Sequence, residues 1–156
     1  MEKDPFILYK SKQDKPAVKY LTWEELKAIE EKKFVMEILY RVREIFLFSC
    51  YTGYAYSDVE KFSPGGIVTG IDGLKWIYRN RAKNESKSNV PILPKALEII
   101  EKYKSHPDVL NKGKLLSVIS NIKTNEYLKE IATYVVSPRI SPSIWPVTPL
   151  ATARVP

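Results

Sequence analysis

The stretch Phe46-Leu47-Phe48-Ser49-Cys50-Tyr51-Thr52-Gly53-Tyr54-Ala55-Tyr56-Ser57-Asp58-Val59 reads as the end of one helix and the start of the next. Working backwards from it, Ile38, Val42, Ile45, Phe46 and Cys50 recur at helical spacing around Arg41, Arg43 and Glu44. That pattern predicts an amphipathic helix from about Phe34 to Tyr51. Gly53 suits the left-handed residue that follows a helix, and Ser57 can cap a short helix through Phe62. Further upstream, Thr22 and Glu25 have the spacing of a capping box, and Leu21 and Leu26 stand where a hydrophobic staple needs them, so a helix begins after Thr22.

Downstream, Pro64-Gly65-Gly66 breaks the chain. A strand from Leu74 to Arg81 alternates Leu74, Trp76 and Tyr78 against Lys75, Ile77 and Arg79, and a second run, Ser88 to Leu93, returns after the polar loop Ala82 to Lys87. Together they predict a β-hairpin. Pro94 fits the first turn of a helix whose buried face is Ala96, Leu97, Ile99, Ile100 and Tyr103. His106 falls between helices and reads as a surface loop residue, and Leu115 to Ile119 is a short apolar run of either type. Ser120 or Asn121 can cap a last helix through about Thr133, with Ile122, Leu128, Ile131 and Ala132 as its apolar positions. Trp23 and Trp76 each sit in an amphipathic pattern and are expected to be half-buried packing residues.

Three segments follow. Residues 1–20 carry scattered lysines with Pro5 and Pro16 and no apolar periodicity, which reads as an extended arm or linker. Residues 21–134 form one domain, mainly α with a small β-hairpin or three-stranded sheet. Residues 135–156 hold five of the eleven prolines and no acidic residue, and are expected to be unstructured.

Composition narrows the function. At 156 residues and 44% hydrophobic, the chain suffices for one packed core. It has no long apolar run and no signal-peptide start, which predicts a soluble cytoplasmic protein without a membrane partner. One cysteine, Cys50, and one histidine, His106, cannot assemble a zinc site, so no metal and no cofactor is expected. A net charge of +7 favours polyanions. From Lys75 to Lys95 there are six basic residues, Lys75, Arg79, Arg81, Lys83, Lys87 and Lys95, against one acid, Glu85. Taken alone, this describes a solvated charged hairpin as well as a DNA-binding one.

The order of elements resembles the catalytic domain of tyrosine recombinases of the phage-integrase type, especially integrases of Bacteroidetes mobile elements. The resemblance covers roughly residues 3 to 134. It rests on Phe46 to Val59, Trp76 to Lys83, Val90-Pro-Ile-Leu-Pro-Lys-Ala-Leu97 and Leu115 to Ala132. It implies DNA integration and recombination, in which a tyrosine attacks a phosphodiester while arginines, a lysine and histidines stabilise the transition state. Fixed guanidinium groups can neutralise the phosphate in flight without a metal, and a lysine can deliver a proton to the leaving oxygen.

Residue by residue, the resemblance places the family's first arginine at Ala55, inside a matching frame of Thr52, Gly53, Ser57 and Asp58. The family's lysine falls at Lys83, and the implied DNA-binding set is Lys75, Arg79, Arg81, Lys83 and Lys87. Tyr51, Tyr54 and Tyr56 do not match the family's nucleophile, which follows the second arginine. The matching stretch as an ordinary helix end and helix start describes the same geometry.

Beyond Thr133 the pattern fails. The family continues to His-x-x-Arg, where this sequence has Val135-Val-Ser-Pro-Arg-Ile-Ser-Pro-Ser-Ile-Trp-Pro-Val-Thr-Pro149. Back-translated one nucleotide earlier, that segment can read Cys-Gly-Ile-Ser-Lys-Asn-Leu-Thr-Phe-His-Met-Ala-Arg-His-Thr-Phe, the missing motif in its expected place. Trp145 has a single codon and Pro146 begins with two cytosines, which forces the alanine of that run. The reading is a frameshift near Tyr134, with an out-of-frame tail and no second arginine, catalytic histidine or nucleophile. The expected function is a catalytically incompetent recombinase fragment that binds double-stranded DNA weakly. The alternatives are a non-enzymatic basic DNA-binding module and a chain that does not fold stably. The family assembles as protomers on DNA after a helical clamp domain that the resemblance places ahead of Pro5.

Overall fold

The computed structural model describes residues 21–80 and 87–135. The expected arm at 1–20, the hairpin tip at 81–86 and the tail from 136 onward lie outside the described residues.

The first helix, α1 (Trp23–Glu31), begins as its sequence dictates: the Thr22 hydroxyl accepts from the Glu25 amide, and the Glu25 carboxylate accepts from the Thr22 amide at 2.8 Å. Leu26 is buried and Leu21 packs against the same core, completing the staple. Trp23, by contrast, is 61% exposed rather than half-buried. It stands at the first helical position, while Leu26 and Ile29 carry the buried face.

The second helix, α2 (Glu37–Thr52), is the centre of the molecule, packed by α1, by α4 (Pro94–Tyr103) and by α6 (Asn121–Val135). It starts at Glu37, not Phe34. Phe34 instead lies edge-on to Tyr134 at 5.9 Å, closing the gap between the α1–α2 connection and the end of α6. Because neighbours surround α2, its expected polar side is lost: every residue from Val42 to Cys50 is buried, Arg43 and Glu44 included. Gly53 ends the helix in the left-handed region at φ 70°, with its amide donating to Ser49 O.

The next helix, α3, is a single turn, Tyr56–Val59, and Ala55 occupies its cap position without a side-chain bond. The expected cap, Ser57, lies two residues past the cap position, inside the helix, and is exposed. A turn of 3-10 helix at Pro64–Gly66 then leads to β1 (Ile67–Thr69), a strand too short to show as alternation, followed by β2 (Lys75–Asn80) and β3 (Lys87–Pro91). The sheet is an antiparallel meander in the order β1-β2-β3. β2 begins one residue after the expected Leu74, and β3 begins at Lys87, one residue before the expected Ser88, and ends at Pro91 rather than Leu93, with the Ile92 amide still donating to Lys75 O at 2.8 Å.

Cross-strand rows sort the faces. Ile67, Ile77 and Val90 are mutual partners on the core side, with Ile77 buried. Val68, Trp76 and Pro91 form the row on the outer side, followed by Tyr78 opposite Asn89.

α4 buries Ala96, Ile99, Ile100 and Tyr103, as its pattern predicts. His106 is not a free loop residue: it caps α5 (Pro107–Lys112), its Nδ1 accepting from the Asp108 amide at 3.2 Å, and it is half-buried. Leu115 to Ile119 is neither helix nor strand: it bends at Leu115 and Leu116 and is tied beside α3 by the Leu115 amide to Phe62 O at 2.9 Å and by the Tyr56 hydroxyl to Ile119 O. In α6 the buried stripe is Thr124, Leu128, Ile131 and Ala132. Ile122 is 74% exposed, because Thr124 takes the inward position and satisfies its hydroxyl on Ser120 O at 2.9 Å. The helix runs through Val135, one residue past the expected domain boundary, and Val135 packs partly against the core.

The core holds Ile29, Val42, Ile45, Phe48 and Ala96 fully buried, so α1, α2 and α4 share one interior. Among the described residues, no helix is long and apolar enough to cross a membrane.

Candidate nucleic-acid interface

Two stretches that the sequence reading singled out are the helix end at Thr52 to Asp58 and the basic hairpin. The first is well built. The Thr52 hydroxyl is buried and donates to Phe48 O at 2.7 Å, so it closes the last turn of α2. Gly53 turns the chain, and Ala55 sits half-buried at the opening of α3. A cationic side chain at this position would be carried on a junction held by two helices. Ala55 carries only a methyl group, so the junction presents no charge from that residue.

The three nearby tyrosines are engaged elsewhere. The Tyr51 hydroxyl donates to the Glu30 carboxylate at 3.0 Å, and burial, together with that carboxylate, pushes its pKa well above the ordinary value. Tyr54 is buried edge-on against Phe62, with ring centroids 4.8 Å apart. Tyr56 gives its hydroxyl to Ile119 O, and burial raises it to about 12, aided by Glu60. A phenol so held is a poor nucleophile, since attack requires the phenolate. Cys50 is likewise buried and pushed up to about 12 by burial.

The hairpin divides into a base and a distal part. At the base, the Lys75 ammonium lies 3.3 Å from Glu101 of α4, and Lys95 lies 2.6 Å from Glu30 of α1. The first fastens the start of β2 to α4, and the second fastens the first turn of α4 to α1. Lys75 thus spends its charge partly within the protein, which the sequence did not reveal because Glu101 is distant along the chain. Farther out, Arg79 pairs with Ser88 and Lys87 with Asn80 in the ladder. Arg81 and Lys83 fall outside the described residues.

Charge is unevenly placed along the chain. The described residues contain 16 of the 25 basic and 14 of the 18 acidic residues, a net +2. The other +5 of the total +7 falls in 1–20, 81–86 and 136–156. The described part is therefore close to neutral, and several of its cations are paired: Arg41 with Glu37 and Asp108, Arg43 with Glu44, and Lys102 with Glu44. Among the described residues no three His, Cys, Asp or Glu side chains gather as a metal site requires.

A feature that sequence reading missed lies around Asp108. Its carboxylate accepts from the Ser117 hydroxyl at 2.8 Å and faces Arg41 at 3.5 Å, and the Ser117 bond holds it below the ordinary carboxylate range. This cluster has the residue types of a catalytic set but not its geometry. The His106 Nδ1 accepts from a backbone amide, so the imidazole is not directed at the serine oxygen, and the carboxylate that accepts from Ser117 is held below its ordinary range, which makes it a weak base. It joins α2, α5 and the 115–119 segment. No protein-family model, curated protein or solved structure matches the chain.

Proposed function

We propose that this chain is the N-terminal part of a tyrosine-recombinase catalytic domain, catalytically incompetent as it stands, whose remaining capacity is weak, sequence-independent binding of double-stranded DNA. The observation that carries the reading is the order of three structures: a long helix ended by Thr52-Gly53, a short helix opened by Ala55, and a basic antiparallel hairpin. In such an enzyme the first position would hold a phosphate-neutralising arginine and the hairpin tip a proton-delivering lysine. Here the first is Ala55 and the second is Lys83. The sequence after Tyr134 contains no histidine and no tyrosine, so the chain as given supplies no phosphotyrosine nucleophile.

Phosphate contacts position a protein on DNA without reading bases, which is why binding should be indifferent to sequence and strongly salt-dependent. The test is fluorescence anisotropy on unrelated duplexes across a salt series, with Arg79, Arg81 and Lys83 replaced together by alanine. The expected result is weak binding by the wild-type chain, falling with salt and weakened further in the triple variant. Binding that ignores salt or the triple substitution would remove the hairpin from the reading.

A non-enzymatic DNA-binding module is the second reading. It is favoured by the continuous core through α1, α2, α4 and α6, which supports a folded chain without any need for a complete catalytic site.

A further inference from the structure

One oxygen of Asp108, Oδ2, is the meeting point of three side chains from different parts of the sequence. The Ser117 hydroxyl donates to it at 2.8 Å, the Arg41 guanidinium of α2 stands 3.5 Å away, and the His106 Nδ1 lies at 3.9 Å. The imidazole does not donate to this oxygen. Its Nδ1 accepts from the Asp108 amide at 3.2 Å, which requires a bare lone pair on that nitrogen and places the proton of the neutral ring on Nε2. Asp108 thus offers the ring two partners of opposite character. Its amide needs an unprotonated Nδ1, and its carboxylate attracts a protonated one.

Histidine gives this cluster two arrangements. The usual capping residues, Ser, Thr, Asp and Asn, keep an acceptor oxygen near neutral pH, whereas an imidazole that takes a proton becomes a donor at both nitrogens. A proton arriving from solvent at Nδ1 occupies the lone pair that holds the Asp108 amide. That bond then breaks, and the new N–H faces Oδ2. The His106 side chain is 23% exposed, so water reaches it.

The surrounding groups leave the exchange to this pair. The Ser117 bond, first among several causes, holds Asp108 below the ordinary carboxylate range, so it is still an anion where imidazoles take protons. Tyr103 of α4, whose ring centroid is 5.9 Å from that of His106, is pushed up to about 12 by burial and stays neutral there. Of the charged groups nearby, Arg41 and Glu37 of α2 pair with each other at 3.4 Å, Lys104 faces Glu101 at 3.8 Å, and Lys112 of α5 adds a positive charge near Asp108. At 3.5 Å the Arg41 contact is the longest of the donor contacts on Oδ2, and Arg41 also donates to the Ser117 hydroxyl at 3.2 Å. It can therefore give up Oδ2 and keep two partners.

We propose that His106 and Asp108 form a proton-operated latch. The neutral ring caps α5 through the Asp108 amide. The protonated ring releases that amide and pairs with the Asp108 carboxylate, displacing Arg41 from Oδ2. With it the direct tie between α5 and α2 loosens, while the Ser117 bond keeps α5 joined to the 115–119 segment. This inference goes beyond the DNA-binding reading and does not depend on it.

The experiment is a pH titration of the full chain by nitrogen-15 NMR, following the imidazole nitrogens, the Asp108 amide and the Arg41 guanidinium. The neutral ring should be the Nε2–H tautomer. As the ring takes its proton, the amide and guanidinium signals should move with the same midpoint. The Asp108 amide should also lose about five-fold of its exchange protection relative to an unfolded chain at the same pH, the equivalent of one cap. His106→Asn keeps an acceptor at the cap but cannot take the proton, so both signals should lose that pH dependence. An Nδ1–H tautomer, or an amide that titrates apart from the ring, would overturn the latch, and the wild-type titration alone decides this. A guanidinium signal that stays still would overturn the exchange at the carboxylate. PH dependence of the amide that survives in His106→Asn would assign it to the Asp108 carboxyl and also overturn the proposal.

Discussion

The Lys95 ammonium lies 2.6 Å from the Glu30 carboxylate, which also receives the Tyr51 hydroxyl at 3.0 Å. One carboxylate of α1 thus joins the first turn of α4 to the central helix. Burial alone would raise the Glu30 carboxyl, but the bonds from Lys95 and Tyr51 and the charges of Lys95 and Arg43 hold it below its ordinary value. A carboxyl whose folded pKa is depressed stabilises the fold above its unfolded pKa and loses that contribution as pH falls through the folded one. The expected outcome is that Glu30→Gln lowers stability near neutrality and flattens the loss between about pH 5 and about pH 3. Urea midpoints of both proteins across that range measure it, and parallel curves would show that Glu30 gives nothing on the acid side.

Arg43 is a stronger case because it is buried. Its guanidinium lies 2.6 Å from Glu44, donates to the carbonyls of Glu30 and Lys32 at the end of α1, and stacks on Tyr40 at 4.5 Å. Removing it strands Glu44 and two helix-terminal carbonyls, although Lys102 remains 3.4 Å from Glu44. Arg43→Met should cost about 3 kcal/mol, the lower end for breaking a buried pair. Arg43→Met with Glu44→Leu should recover part of it, and a double-mutant cycle of unfolding free energies reads the coupling.

The turn under Trp76 predicts a contrast between two glycines. Gly70→Ala forces a methyl into Asp72 and the indole and should cost about 1 to 2 kcal/mol through loss of their hydrogen bonds. Gly65→Ala meets nothing within 4 Å and should stay within about 0.5 kcal/mol of wild type. Equal effects in thermal melts would mean that the indole is not seated on Gly70.

On a suicide substrate with a core site of the recombinase type, the chain should form no covalent protein–DNA adduct at any concentration, because no nucleophile follows Tyr134. On the proposed recombinase reading, replacing the sequence after Tyr134 by its alternative-frame continuation through the end of such a domain, with the family's clamp domain supplied, should return the adduct. Ala55→Arg in that repaired background should raise its yield by restoring charge neutralisation. Denaturing gel electrophoresis of labelled DNA reads all three, and an adduct from the unrepaired chain would require one of the present residues to act as nucleophile.

The sequence by itself determined what local chemistry dictates. Thr22 and Glu25 fix where α1 starts, Gly53 fixes where α2 ends, and Pro94 with its apolar stripe fixes α4, since caps, left-handed turns and helical periodicity depend on neighbours a few residues away. The hairpin was legible for the same reason. The sequence also located the basic residues. What only the tertiary structure decided are matters of who stands opposite. Arg43 and Glu44 become interior because helices surround α2 on all sides, and Lys75 is drawn to Glu101 across 26 residues of chain. His106 becomes a cap because Pro107 starts a helix of six residues, too short for periodicity to announce. The outward aromatic row of the sheet depends on register: alternation shows that Trp76 and Tyr78 share a face, but only the core's choice of Ile67, Ile77 and Val90 turns that face to solvent.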